Sequence, residues 1–246
     1  MYRFLYRPLW LLLHVVVVAT IVLMINLGFW QLSRYQERTA FNKVVTQRIA
    51  SPVVPITELL IDLRTKGETP TSLEWRTVQV VGEYLDDKTV VVVNRSQGGF
   101  SGKDPLTPLV LDNGTLVLIN RGFLPLATQV AIAPRGRVEL IGRVRISETR
   151  RHGRLSDPVS GILREVINID LDRLSKQMPT PLAPIYVEMF ASKPEDSILL
   201  SQIASPVLSS GSHLSYTVQW FMFSIFVVFG WVVVVRRKLK APKTSI

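Results

Sequence analysis

Two long runs without any charge constrain this chain more than any other feature. The first extends from Pro8 to Ser33 and the second from Leu214 to Val235. Each exceeds the roughly 20 apolar residues that an α-helix needs to cross a bilayer. The apolar runs between them, such as Leu116–Ile119, have only the length of a strand. We therefore predict two transmembrane helices, residues 9–32 and 213–235, one near each end of the chain.

The charges at the two ends of the chain predict its orientation in the membrane. All 19 acidic residues lie between Arg34 and Gly211, and the two tails contain seven basic residues without any acid. Short basic segments that flank a membrane helix stay on the cytoplasmic side. We therefore expect both tails, residues 1–8 and 236–246, in the cytoplasm and residues 33–212 outside it. A net charge of +10 that is concentrated in the tails also disfavours nucleic acid as a partner.

The first apolar run predicts an uncleaved anchor rather than a signal peptide. It is longer than the apolar region of about 7–15 residues in such peptides, and no small-residue cleavage site follows it. It ends instead in Gly28-Phe29-Trp30-Gln31. The lack of an Arg- and Ser-rich transit peptide favours the plasma membrane of a bacterium. Because the chain has no cysteine, we expect an external domain without disulfides or cysteine-bound metal.

Residues 33–212 predict a mainly antiparallel β domain, either a small barrel or a sheet, with two or three short helices. The strongest signal is a hairpin in which Thr107–Leu111 and Thr115–Ile119 flank Asp112-Asn113-Gly114. The glycine-rich segment Ser96–Asp104 and the polar segment Ser192–Ser212 are predicted to be loops. β-Branched and aromatic residues predict further strands near residues 75–84, 89–93, 138–146, 165–169 and 185–190.

Helical signals occur in three places outside the two apolar runs. The pattern of the first helix continues to about Ile49. Thr57 is a candidate N-cap for a helix over residues 58–66. Asp170 is a candidate N-cap for a helix over residues 171–176.

Motifs of the common enzyme classes are absent from the sequence. It contains no P-loop, no dinucleotide-binding glycine fingerprint, no HExxH and no G-x-S-x-G. We therefore expect a protein that is not an enzyme. His152 lies in an arginine-rich stretch, Arg135–Arg154, which suits a solvated surface or contact with anionic lipid headgroups, haem propionates or an acidic partner.

The other two histidines lie in the predicted membrane helices. His213 begins the second helix at its outer end, on the same face as Tyr216 and Trp220. Its imidazole could ligate a metal such as haem iron, or it could be an interfacial residue that binds lipid headgroups. His14 lies near the cytoplasmic end, roughly 24 Å below the level of His213, so the two histidines cannot share one iron. We expect a structural role for His14.

Four stretches of the sequence follow one another in a recognisable order between and within the two helices. They are Gly28–Arg34; Trp75–Val78 with Gly82–Tyr84; Gly102 with Thr107–Leu109 and Val117–Pro125; and His213–Tyr216 with Trp220-Phe221. Together they resemble a bacterial member of the surfeit-locus family of cytochrome c oxidase assembly factors. The resemblance covers nearly the whole chain. Phe123 departs from the family pattern, which usually has tryptophan at that position.

The resemblance implies an assembly factor for a haem-copper terminal oxidase of the respiratory chain, one that helps to deliver or insert haem a into the catalytic subunit. The expected partners are that subunit, the haem a synthesis enzyme or other assembly factors, and membrane lipids. Two alternatives remain: a haem-independent membrane chaperone, and an accessory subunit of the oxidase or of a respiratory supercomplex.

The resemblance also implies a transient haem a site where the outer ends of the two helices meet. His213 would be an axial iron ligand, and Arg34 would pair with a haem propionate. Four further residues would line this site: Trp30, Gln31, Tyr216 and Trp220. Five residues of the family motifs lie in the β domain: Gly102, Pro108, Asn120, Arg121 and Gly122. We expect a structural role for Gly122, in a tight turn where glycine permits positive φ.

Overall fold

The computed structural model describes residues 3–148 and 156–240, and the chain divides into two units. The helical unit comprises the chain up to Val44 and from Val207 onward, and the β unit comprises Val45–Pro206. The predictions for His152 and its neighbouring arginines concern residues outside the described ranges.

The elements of both units follow in chain order after a short 3-10 turn, Arg3–Tyr6. They are α1 (Pro8–Ile49), β1 (Val54–Pro55), α2 (Ile56–Lys66), α3 (Pro70–Leu73), β2 (Thr77–Tyr84), β3 (Val90–Gln97), β4 (Phe100–Leu111), β5 (Leu116–Asn120), β6 (Leu124–Pro125), β7 (Arg137–Ile146), β8 (Glu165–Val166), α4 (Leu171–Ser175), β9 (Leu182–Lys193) and α5 (His213–Lys240).

The helical unit consists of α5 and of α1 up to Val44. Both helices are long and apolar enough to cross a membrane, with mean hydropathies of 2.6 and 2.2 over their most apolar windows. α1 begins at Pro8, where the fixed φ of proline suits the first turn of a helix, and its predicted continuation to Ile49 is confirmed. α5 begins at His213, as predicted, and continues beyond Val235 into the basic tail.

Small residues and aromatic rings join α1 to α5. Gly28 is buried against the ring of Phe221, and a Cβ at this position would lie 2.8 Å from that ring. The ring of Phe29 meets the same phenyl group edge-on at 5.5 Å. Thr217 and Ser224 are buried, and each hydroxyl donates to a carbonyl of its own helix. Small residues at such contacts let two apolar helices approach closely.

The β unit contains one sheet with the strand order β1-β2-β7-β9-β5-β4-β3-β8, and β6 pairs with β4. An additional pairing of β2 with β4 closes five strands, β2-β7-β9-β5-β4, into a ring. The sheet is mixed, so the prediction of a mainly antiparallel domain is confirmed only in part: β1–β2, β3–β8 and β5–β9 are parallel pairs, and the other pairings are antiparallel. Parallel neighbours need a long crossover, and the chain between β5 and β9 forms β6, β7, β8 and α4 before it returns.

The prediction of a loop at Ser96–Asp104 is wrong, because this segment forms the tip of a hairpin between β3 and β4. Gly98 and Gly99 form the turn, and their φ values of 59° and 84° are typical of a two-residue hairpin loop. Gly102 lies within β4, where a Cβ would come within 2.2 Å of the Leu124 carbonyl oxygen. Three glycines so close together resemble a loop in sequence, although here they allow a turn and a close strand contact.

The other strand predictions are confirmed in place but differ in length. The hairpin around Asp112-Asn113-Gly114 joins β4 to β5, with Gly114 at a φ of 78°. β9 extends the predicted strand, Ile185–Phe190, by three residues at each end. β8 is shorter than predicted, because the amides of Ile167 and Asn168 donate to the Asp157 carboxylate instead of to a strand.

The short helices follow their capping signals unequally. α4 is capped as predicted, with the Asp170 carboxylate accepting from the Arg173 amide at 3.0 Å. α2 begins at Ile56, so the predicted cap at Thr57 is wrong; the N-cap is Pro55, whose side chain makes no capping hydrogen bond. The helix nevertheless ends at Gly67, whose left-handed conformation terminates it.

Two apolar clusters form the core of the β unit. Side chains alternate along β2, so that Val78 and Val80 point into the larger cluster together with residues of α2 and the ring strands. The smaller cluster lies between β3, β5, β8, β9 and α4, and it includes Val90 and Leu174. β5 contributes to both clusters, which explains why all of its side chains are buried and why its sequence is a continuous apolar run.

Candidate functional site

His213 and Gln31 form the centre of the candidate site in the helical unit. His213 is the first residue of α5, and its Nδ1 lies 2.8 Å from the amide oxygen of Gln31 on α1. The predicted proximity of Gln31 to His213 is therefore present in the structure, although Gln31 lies within α1, which continues to Ile49. Both side chains are half-buried.

Aromatic side chains near this pair are open to their surroundings. Trp30 is 52% exposed and Tyr216 is 47% exposed. Trp220 is half-buried, and its ring meets that of Phe223 edge-on at 6.1 Å. An exposed aromatic ring at the end of an apolar run can sit at a membrane interface or stack on a flat, apolar ligand.

Arg34 has local partners that the sequence analysis did not predict. Its guanidinium lies 5.9 Å from the centre of the Trp30 ring, and its NH1 pairs with the Glu37 carboxylate at 3.0 Å. Both members of the ion pair are more than half exposed. Such a pair contributes only about 0–1 kcal/mol, so the guanidinium can exchange Glu37 for another anion at little cost.

His14 lies at the opposite end of the helical unit and has a different environment. The indole N–H of Trp231 donates to His14 Nδ1 at 3.2 Å, and the ring of Trp10 lies 6.1 Å away. Seventeen residues separate His14 from Gln31 on α1, which corresponds to roughly 26 Å along the helix axis. The contacts of His14 fit the expected structural role.

The family-motif residues of the β unit form a buried polar joint. The side chain of Arg121 is fully buried, and its Nε and NH2 donate to the Asp196 carboxylate at 2.7 and 2.6 Å. The Asn120 amide oxygen accepts from the Gly122 amide at 3.1 Å. Gly122 has a φ of 133°, and a Cβ there would lie 2.7 Å from the Ser201 carbonyl oxygen. The joint thus fixes the segment after β9 against the ends of β5 and β6.

Gly102 and Pro108 occupy structural positions in β4. Gly102 pairs with Pro125 of β6, and its missing side chain leaves room for the Phe123 ring. Pro108 lies opposite Leu118 in the sheet, and its carbonyl accepts from the Leu85 amide at 2.9 Å.

A charged cavity in the β unit was missed by the sequence analysis. It has a volume of about 210 Å³ and is lined mainly by polar side chains: Arg95, Ser96, Gln97, Asp104, Asn120, Phe123, Arg145, Glu148, Tyr186, Glu188 and Ile203. Arg145 stacks on Trp75 at 4.0 Å, and neighbouring Arg143 is buried beside Glu188. Part of the arginine-rich stretch therefore points inward. Arg143 and Arg145 are two residues apart on β7, so the sequence predicts that they share one face of the strand. Only the pairing of β7 with β9 shows that Glu188 lies opposite Arg143.

Asp104 is the most buried carboxylate of this cavity. Its Oδ2 accepts from the Asn120 amide at 3.1 Å and lies 3.5 Å from the Arg95 guanidinium. Within the described residues its Oδ1 has no hydrogen-bond partner. Burial raises the pKa of Asp104 to about 6, although the Asn120 hydrogen bond and the Arg95 charge oppose this rise.

The raised pKa of Asp104 predicts a specific pH dependence of stability. At intermediate pH the Asp104 carboxyl is protonated in the folded protein but ionised in the unfolded chain. Its contribution to the free energy of unfolding is therefore fully present below about pH 4 and is lost as the pH rises through about 6. The two-unit shift corresponds to roughly 3 kcal/mol. Asp104→Asn should remove this contribution. Between about pH 4 and pH 6, the free energy of unfolding of the variant should therefore rise relative to that of the wild type by roughly 3 kcal/mol.

This prediction is measured by chemical unfolding of the full chain in detergent, followed by tryptophan fluorescence across the same pH range. The exposed Asp112→Asn variant serves as the control for a matched change of charge. Parallel stability curves for Asp104→Asn and the wild type would contradict the assignment of the titration to Asp104.

Metal-binding clusters are absent from the parts of the chain that the structure describes. Residues 3–148 and 156–240 contain no group of three or more His, Asp or Glu side chains arranged to hold a metal ion.

Known protein sequences resemble this chain over most of its length. The sequence profile of the SURF1 family matches residues 18–225. The chain is similar to an uncharacterized SURF1-like protein of Mycobacterium tuberculosis, with 30% identity over 92% of this chain and 83% of that protein. It is also 26% identical to a SURF1-like protein of Rickettsia felis over 87% of this chain and 93% of that protein. Surfeit locus protein 1 of Xenopus tropicalis is 28% identical over 58% of this chain and 49% of that protein. The chain belongs to the SURF1 family, which is known generally as a family of cytochrome oxidase assembly factors.

Proposed function

We propose that this protein is a membrane-anchored assembly factor of a haem-copper cytochrome c oxidase and that it assists the delivery or insertion of haem a into the catalytic subunit. The observation that carries the proposal is the placement of His213. This histidine begins α5, is held at one ring nitrogen by Gln31, and lies in the unit that also exposes Trp30 and Tyr216.

The residues of the helical unit suit haem a as a transient cargo. Haem a is flat and largely apolar, with two propionates at one edge. His213 would supply an imidazole ligand to the iron, and the exposed indole and phenol rings would contact the macrocycle. Arg34 would release Glu37 and pair with a propionate, because its present ion pair is exposed and weak.

Capture and transfer require weaker binding than a permanent haem protein has. His213 as a protein ligand on a partly exposed surface would meet this requirement. In the proposed action the protein forms and breaks no covalent bond, so it needs no catalytic residue.

The location proposed for this action is the outer face of a bacterial plasma membrane. α1 and α5 would span the bilayer, with both basic tails in the cytoplasm by the positive-inside rule. The β unit would then lie outside the cytoplasm, and the His213–Gln31 pair would lie at the outer membrane surface. The partners proposed there are the oxidase catalytic subunit and the enzymes or factors that supply haem a.

Replacement of His213 tests the ligand role directly. Purified His213→Ala supplied with haem a should lose the haem absorption band of the wild type and most of the bound haem. His14→Gln is the matched histidine control and should bind haem as the wild type does, because its partner is Trp231 at the other end of the unit. A haem spectrum and occupancy that are unchanged in His213→Ala would remove His213 from the ligand role. Absence of specific binding by the wild type would favour the haem-independent chaperone.

A further inference from the structure

We propose that Gln31 is a positioning residue that holds His213 in the tautomer with the proton on Nδ1, so that Nε2 presents its lone pair to a haem iron. This inference rests on the proposed function for its ligand, and on the geometry of two side chains for its mechanism. The relevant contact joins His213 Nδ1 to the Gln31 amide oxygen at 2.8 Å.

The structure turns the Gln31 amide oxygen, and not its NH2 group, toward His213 Nδ1, and this orientation gives the direction of the hydrogen bond. An amide oxygen has lone pairs and no proton, so it can only accept. The imidazole Nδ1 must therefore carry the proton that is shared. In a neutral imidazole only one ring nitrogen carries a proton, and Nε2 is then left with its lone pair.

This tautomer is the one that iron ligation through Nε2 requires. A metal binds the lone pair of neutral imidazole, and the other ring N–H of such ligands usually donates to a carbonyl or carboxylate oxygen, which fixes the ring orientation. Free histidine in water prefers the opposite tautomer, with the proton on Nε2. Gln31 would thus prepare the ligand before haem arrives, and it would do so from α1, whereas the ligand itself lies on α5.

The second membrane-helix histidine shows the opposite arrangement and provides an internal comparison. The indole of Trp231 has an N–H and no acceptor, so it can only donate, and it does so to His14 Nδ1 at 3.2 Å. Neutral His14 therefore carries its proton on Nε2. One protein thus holds two histidines in opposite tautomers, each determined by a partner on the facing helix.

The experiment is nitrogen-15 NMR of histidine-labelled full chain in lipid, without haem, at about pH 8.5, where an unperturbed imidazole is neutral. The sequence has three histidines, so a His152→Gln background leaves His14 and His213, each with two ring nitrogens. We expect His213 with the proton on Nδ1 and His14 with the proton on Nε2. The same proton position at both residues, or a proton on Nε2 of His213, would overturn the inference.

Three variants separate positioning from packing. Gln31→Met keeps the length of the side chain but removes the acceptor, and it should shift His213 toward the Nε2–H tautomer and weaken haem a binding about 10- to 100-fold. Gln31→Glu keeps an oxygen acceptor and should preserve both the tautomer and binding. Gln36→Met is the matched control on the exposed surface of α1 and should change neither property.

The outcomes distinguish this inference from the proposed function. If Gln31→Met leaves the tautomer and the haem affinity unchanged while His213→Ala abolishes binding, Gln31 is not a positioning residue and the haem function stands. If His213→Ala binds haem like the wild type, the haem function at this site fails and the ligand part of the inference fails with it. The NMR measurement on the haem-free protein then reports only on the hydrogen bond.

Discussion

Gly82→Ala is expected to destabilise the β unit by about 3 kcal/mol or more, the upper range for overpacking a close contact. Gly82 lies on β2 where this strand pairs with both β7 and β4, and this second pairing closes the ring. A Cβ at this position would lie 2.2 Å from the Val110 carbonyl oxygen and 2.3 Å from a methyl group of Leu109. Since the oxygen belongs to backbone, the strands themselves would have to separate.

The measurement is thermal unfolding of the full chain in detergent, followed by tryptophan fluorescence and by protease resistance of the β unit. Gly230→Ala is the matched control, because nothing lies within 4 Å of its Cβ position on α5. We expect the control to unfold like the wild type and Gly82→Ala to unfold at a clearly lower temperature. Equal stability of the two variants would show that β2 and β4 do not close the ring in the way described.

Arg121→Met is the second substitution with a large expected effect. It removes a fully buried guanidinium and leaves the Asp196 carboxylate, only 5% exposed, without its main counterion. Breaking one side of a buried ion pair costs about 3–5 kcal/mol, because the remaining charge stays away from water. The joint between the end of β5 and the segment after β9 should therefore open in this variant.

A double variant and a surface control test this explanation. Arg121→Met combined with Asp196→Asn should recover part of the lost stability, because no unpaired charge then remains buried. Arg137→Met removes an exposed arginine that also binds its partner, Asp112, through two hydrogen bonds, and it should change the stability little because water screens this ion pair. If Arg121→Met and Arg137→Met lose equal stability, burial does not control the strength of the Arg121 ion pair.

The sequence was sufficient to predict the elements that depend on local signals. Apolar runs without charge predicted α1 and α5, and Asp112-Asn113-Gly114 predicted the hairpin between β4 and β5, because turn type and helix length are properties of adjacent residues. Asp170 predicted the cap of α4 for the same reason. The extension of α1 to Ile49 followed from its continued helical periodicity.

Features that depend on distant pairing could not be predicted. The parallel pairing of β5 with β9 depends on the path of more than sixty intervening residues, and no local pattern encodes that path. The inward direction of Arg143 depends on Glu188, which is its partner across the antiparallel pairing of β7 with β9. Arginines in a row resemble a solvated surface until the opposing carboxylates are placed.

The candidate site shows the same division. Two helices of predicted length and opposite direction place Gln31 beside His213, so this proximity was predictable from the sequence. The hydrogen bond between them was not, because it depends on helix rotation and on side-chain rotamers. The local pairing of Arg34 with Glu37, three residues further along α1, was available as a sequence signal and was overlooked.

Deletion of the gene in the host cell tests the central claim most directly, by the optical spectrum of its membranes and by their cytochrome oxidase activity. We predict a loss of the haem a absorbance together with the activity, restored by the wild-type protein and not by His213→Ala. Membranes of the deletion strain with normal haem a absorbance and normal oxidase activity would contradict an assembly role for this protein.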